Sequence, residues 1–111
     1  MIRAINSVRS AHHRGSVRFS QRLSAAAAAW ARHLVRDNVL AHASLHPGQG
    51  EIIEWHTTGR PQIRSAVAEW WHSREHRTVM MRRRFHTAGA GRAVGVMNGR
   101  RCTIWVVRFA M

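Results

Sequence analysis

Apolar residues recur at helical spacing through the first two thirds of the chain and give way to β-type runs in the last third. Ile2, Ile5 and Val8 repeat every three residues and predict a short helix from Ile2 to about His13, closed before Gly15. Ser20 has the character of an N-cap. Behind it Leu23, Ala26 or Ala27, Trp30, Leu34 and Asn38 share one face, while Arg22, Arg32 and Arg36 fall on the other, so a long helix is predicted over about residues 20–40. Leu45-His46-Pro47-Gly48-Gln49-Gly50 is a turn-rich loop, and Glu51-Ile52-Ile53-Glu54-Trp55 reads as a short strand or extended segment. Pro61 suits the first position of a third helix with Ile63, Val67 and Trp70 on one side. Ser73 suits the cap of a fourth, running to about Arg83 with Val79 and Met80 turned inward.

Two runs rich in Gly, β-branched and aromatic residues follow, Ala88 to Met97 and Arg101 to Ala110, separated by Asn98-Gly99. Asn-Gly between such runs signals a hairpin with a tight primed turn. Ile104-Trp105-Val106-Val107 is apolar on both alternating faces, so that strand must be covered from both sides. Helices first and strands last, with a doubly covered strand, predict an α+β fold: a three-layer α-β-α sandwich around a small antiparallel sheet with a C-terminal β-hairpin.

With 111 residues, 45% of them apolar, one domain spanning residues 1–111 is expected. No apolar run approaches the roughly 18 residues of a membrane span. The single Cys102 excludes an internal disulfide and is expected buried on its strand. Met1 to Asn6 lacks the apolar core of a signal peptide, which leaves a cytoplasmic protein or one whose leader is absent from this chain. The net charge of +13 comes from eighteen arginines, no lysine and five acids. Arginine favours bidentate contact with phosphate or carboxylate, so nucleic acid or another polyanion is a candidate partner, although only Arg82-Arg83-Arg84 cluster.

Histidine carries the candidate chemistry. His72-Ser73-Arg74-Glu75-His76 fits the H-x-x-E-H pattern, in which two imidazoles one helical turn apart bind Zn and the Glu serves as base. A cap at Ser73 would place His72 outside that helix, and a third ligand would have to come from upstream, from Glu51 or Glu54. A second constellation joins His42, beyond the long helix, to Glu51 and His76. Two imidazoles and a carboxylate can hold one metal with open water positions. Spacing alone does not select these three from nine histidines and five acids, and local hydrogen bonding explains each equally well.

A resemblance does select them. Asn6-Ser7-Val8-Arg9 is similar to an N-x-x-R motif, Leu23, Ala27, Trp30-Ala31 and Leu34 to an L-x3-A-x2-hA-x2-L helix (h, apolar), and Asn38 with Ala41-His42-Ala43-Ser44 to an N-x3-H-x-S end. Gly50-Glu51-Ile52 resembles G-E-N with Ile in place of Asn. Val67 to Arg77 resembles V-x2-W-h-x-S-x2-H-R, and Phe85, Ala88 to Gly91 and Trp105 to Phe109 resemble a closing G-h-G hairpin and W-h-h-x-F strand. Together these resemble the CAP superfamily, also called SCP, in its bacterial secreted branch, and they run from residue 6 to residue 109 in order.

The resemblance implies a central cleft in which His42 and His76 can bind Zn weakly, with Glu51 beside a metal-bound water as a catalytic residue or as a brace for its loop. The family's second Glu falls on Ser73, which with Ser44 is expected to line the cleft. It also implies an extracellular or cell-envelope location and a ligand such as a lipid or an anionic envelope component. A peptidase-like zinc hydrolase and an arginine-rich polyanion binder are the alternatives. Trp30, Trp70 and Trp105 are expected in the core, while Trp55 and Trp71 are candidates for a groove wall.

Overall fold

The computed structural model describes residues 1–57 and 62–111. Its elements are α1 (Ile2–Ala11), β1 (Arg18–Phe19), α2 (Gln21–Asp37), β2 (Gln49–His56), α3 (Ile63–His72), α4 (Arg74–Met80), β3 (Thr87–Met97) and β4 (Arg100–Ala110). The strands form one sheet in the order β1-β3-β4-β2. The three long strands are antiparallel, as expected, while the two-residue β1 pairs parallel to β3 and makes the sheet mixed.

Strand β4 sits between two hydrophobic layers, and its alternation assigns them. Trp105, Val107 and Phe109 point into one layer with Ile5, Ile52, Trp70 and Phe85, under α1, α3 and α4. Cys102, Ile104 and Val106 point into the other with Ala27, Ala31 and Leu34 of α2. The α-β-α sandwich follows from that two-sided apolar pattern. The alanine run of α2 has a specific partner across the layer: a Cβ at Gly89 would meet the backbone of Leu23 and Ser24, and one at Gly91 would meet Ala28. Small residues on both elements let helix and sheet approach at backbone distance.

Ser20 caps α2, its hydroxyl accepting from the Leu23 amide at 3.2 Å. At the other end Asn38 is not a face residue but the left-handed C-cap, with φ 53°. Its side chain reaches the predicted turn of the β3–β4 hairpin, where its amide nitrogen donates to Asn98 Oδ1 at 3.1 Å and its oxygen accepts from the Asn98 amide at 3.0 Å. Asn98 and Gly99 have φ of 51° and 76°, the left-handed pair that a primed turn requires.

The two polar residues of the N-x-x-R match in α1 are anchors. Asn6 exchanges two hydrogen bonds with the Val17 backbone. Arg9 is fully buried, and its guanidinium donates to the carbonyls of Gly15, Met80, Arg82 and Phe85. The third helix begins at Ile63, and the expected start at Pro61 lies outside the described residues. The fourth helix stops at Met80 rather than about Arg83. Ser73 occupies its N-cap, but the hydroxyl makes no capping bond.

Candidate functional site

His42 lies on the irregular stretch after α2 and is fixed from both sides. The Trp30 indole N–H donates to the Ala41 carbonyl at 2.9 Å, so this tryptophan, partly buried and packed against the α2-side core, also pins the stretch. The Ala43 amide donates to Glu51 Oε1 at 3.0 Å, and His42 Nδ1 lies 2.9 Å from the same oxygen. Glu51 Oε2 accepts from Arg108 Nε at 3.1 Å, its cross-strand neighbour in the β2–β4 register. The Glu51 side chain is completely buried while that of His42 is 62% exposed. A carboxylate whose two oxygens engage three nitrogens orients an imidazole through Nδ1, and Nε2 points away from that anchor.

His76 is held in the same manner. The chain breaks between α3 and α4 at Ser73, which is extended with φ −103° and ψ 119°. Its hydroxyl lies 2.8 Å from His76 Nδ1, which is why it does not cap α4. The break also separates His72 from His76: His72 ends α3 and is exposed, so the two imidazoles of the H-x-x-E-H match are not one turn apart on one helix. That zinc-motif expectation is therefore not met. Burial lowers the His76 pKa, the neighbouring His42 lowers it further, and Glu75 opposes both.

The two histidines thus feel each other, but they line adjoining hollows instead of one. A hollow of about 210 Å³ is walled by Leu40, Ala41, His42, Ile53 and Trp55. One of about 180 Å³ takes Glu54, Glu69, Trp70, Ser73 and His76, and shares Ile53 and Trp55 as the common wall. Ser44 lines neither. The described residues contain no group of three or more His, Cys, Asp or Glu placed to hold a metal ion. Two imidazoles are one fewer than the three protein ligands usual at catalytic zinc.

Two parts of the site had signals in the sequence that the motif reading passes over. Arg108 is the one charge inside the apolar run of β4, which calls for a buried acid opposite it, here Glu51. Glu54 alternates with Ile52 and therefore faces the same core layer. Its pKa is pushed up to about 7, by burial first and by Glu69 second.

Other concave surfaces lie away from the histidines. A hollow of about 740 Å³, mostly apolar, is bounded by Ile2, Ala4, Phe19, Ile63, Ala90 and Trp105. A groove of about 630 Å³ contains Arg14, Arg82, Arg83 and Arg84, and shares Arg14, Thr78 and Met81 with a second hollow holding Arg77, His12 and Trp71. There the His12 ring stacks on Trp71 at 4.4 Å and the Arg77 guanidinium lies 5.4 Å from the Trp71 ring centre.

A four-stranded sheet between helices, with one histidine fixed by a buried Glu and another by a Ser on neighbouring walls, is the arrangement expected of a CAP domain. The sequence matches the Cysteine-rich secretory protein family, CAP, over residues 2–109, and the chain belongs to that family. Among solved structures it is similar to an outer surface protein from Borrelia burgdorferi, with a TM-score of 0.78 and 15% identity over 98% of this chain and 87% of that one. It is similar to MpPR-1i, with a TM-score of 0.74 and 17% identity over 97% and 82%. An extracellular SCP-domain protein from Bacillus anthracis aligns with a TM-score of 0.69 and 19% identity, over 96% of this chain but only 37% of its own length. At these identities the likeness establishes the fold. No match is found among the curated proteins.

Proposed function

We propose that this CAP domain is an extracellular or cell-envelope binding module whose central cleft, around His42, Glu51, Ser73 and His76, receives the ligand. One observation carries the choice of binding over turnover: Glu51 is fully buried with both oxygens engaged, so it positions His42 and is not free to take a proton from water. Both imidazoles are anchored through Nδ1, which leaves their Nε2 atoms to receive a divalent metal such as Zn. When bound, such an ion supplies Lewis-acid polarisation of a ligand oxygen. With two protein ligands the ion is weakly held and exchangeable, and because imidazole must be deprotonated to bind, acid releases it.

Isothermal titration of Zn into the wild type, His42→Ala and His76→Ala tests the metal part of this reading. Weak saturable binding in the wild type and loss in both variants is the expected outcome. Equal binding by all three removes the metal from the site.

A second reading, attachment to an anionic polymer, is favoured by the arginine groove. Arg14, Arg77, Arg82, Arg83 and Arg84 line two connected hollows, and among the described residues no acid lines either.

A further inference from the structure

Glu54 has one carboxylate oxygen unused. Its side chain is 6% exposed, and Oε1 is 2.9 Å from His56 Nε2. Those two atoms are not aligned as a hydrogen bond, however, and Oε2 has no partner among the described residues. A buried carboxylate oxygen without a donor is costly, and native structures resolve such cases with a water, an ion or a ligand.

The surroundings narrow the choice. Glu54 lines the hollow beside His76 together with a second acid, Glu69, and two indoles, Trp55 and Trp70. Among the described residues no arginine lines it, which is notable in a chain of net charge +13. The absence of a three-ligand group among those residues disfavours a tightly held metal. Carboxylates combined with indole walls suit an organic cation, which gains charge pairing and aromatic contact together. The unused acceptor further requires that this cation carry N–H donors. At roughly 30 Å³ per water, 180 Å³ holds about six water-sized groups, enough for an ammonium head and the first carbons behind it. The chain has no lysine, so none of its own side chains supplies that group.

We propose that the hollow formed by Glu54, Glu69, Trp55 and Trp70 is a binding site for a primary alkylammonium group, whose N–H donates to Glu54 Oε2. The proposal rests on the reading of the cleft as a ligand site and not on the metal. A bound ammonium favours the ionised form of Glu54 and opposes the upward push on its pKa. The groups facing this carboxyl are Glu69 on α3, His56 on β2 and His76 on α4, and burial together with Glu69 raises its pKa to about 7 in the absence of a counter-charge.

The test is titration of the intact chain at pH 8, where Glu54 is mostly ionised, with n-butylammonium, tetramethylammonium and 1-butanol, followed by calorimetry and tryptophan fluorescence. Butylammonium binds saturably, tetramethylammonium several-fold more weakly and butanol not measurably. Glu54→Gln weakens butylammonium binding about tenfold or more, Glu69→Gln weakens it less, and Arg22→Ala, an exposed change on α2, leaves it unchanged. The wild type binds butylammonium equally with and without a metal chelator, which separates this site from the metal. Circular dichroism of each variant shows that it is folded. Tighter binding of phosphoethanolamine than of butylammonium identifies a lipid headgroup as the source, and the reverse order an amine side chain. Equal binding by Glu54→Gln and wild type, or equal binding of either control compound, overturns the proposal.

Discussion

A carboxyl group that is only 6% exposed and has one oxygen without a donor among the described residues works against the fold whenever it is ionised, and Glu54 is in that position. Its pKa rises from 4.5 to about 7 in the folded chain, with burial the larger cause and Glu69 the smaller. Between those values the folded state holds a proton that the unfolded state has lost. Stability is therefore fully present below about pH 4.5 and is lost as pH rises through about 7. Glu54→Gln removes the ionisation and keeps the shape. We expect the variant to match the wild type near pH 5 and to exceed it at pH 8 by on the order of 2 kcal/mol, or roughly 5–10 °C in melting temperature. Thermal melts of both proteins across pH 5–8 decide it, and parallel profiles would show that Glu54 ionises without penalty. Glu51 is the contrasting case: an equally buried acid with a donor on each oxygen is part of the scaffold.

At the scale of elements, the contact of α2 with β3 depends on the absence of side chains. A Cβ at Gly91 would collide with Ala28 backbone atoms, which cannot swing aside, whereas a Cβ at Gly15 meets nothing within 4 Å. Gly91→Ala is expected to cost roughly 1–3 kcal/mol and Gly15→Ala close to nothing, read as urea midpoints at constant slope. Equal midpoints would mean that the helix can back away from the sheet freely. The same elements show what a local pattern can convey. The Ser20 cap, the alternation of β4 and the Asn98-Gly99 turn are short-range features, and each element formed where its pattern placed it. Strand β1 escaped notice because two residues carry no periodicity, and Arg18 and Phe19 become a strand only by pairing with Thr87 and Ala88. The break at Ser73 falls where the cap reading placed it, and only the capping bond is missing, because the hydroxyl that suits a cap is drawn to His76 instead. Within the site, His42, Glu51 and His76 were legible only through their likeness to known motifs. The partner that immobilises Glu51 lies 57 positions away, and the Glu54–Glu69 pairing depends on how α3 lies against the edge strand β2.

For the whole molecule the question is whether the charge of +13 is diffuse or organised. Two of the five acids, Glu51 and Glu54, are buried, so the surface carries even fewer negative groups than the composition suggests. A diffuse excess binds any polyanion through all its arginines alike, while an organised one concentrates the effect in the groove of Arg14, Arg77 and Arg82 to Arg84. Counter-ion release separates the two. For a single-stranded oligonucleotide, used as a generic phosphodiester chain, each phosphate contact contributes about −0.7 to the slope of log K against log salt. Replacing Arg82, Arg83 and Arg84 by Ala is expected to flatten the slope by about 2. Replacing Arg18, Arg22 and Arg32, which are also exposed but lie outside both hollows, removes the same charge and is expected to flatten it far less. Slopes measured by fluorescence anisotropy between 50 and 200 mM salt, about the range over which such contacts are read, provide the comparison. If the two triple variants lose the same amount, the arginines act as a uniform charge cloud and the groove is no polyanion site.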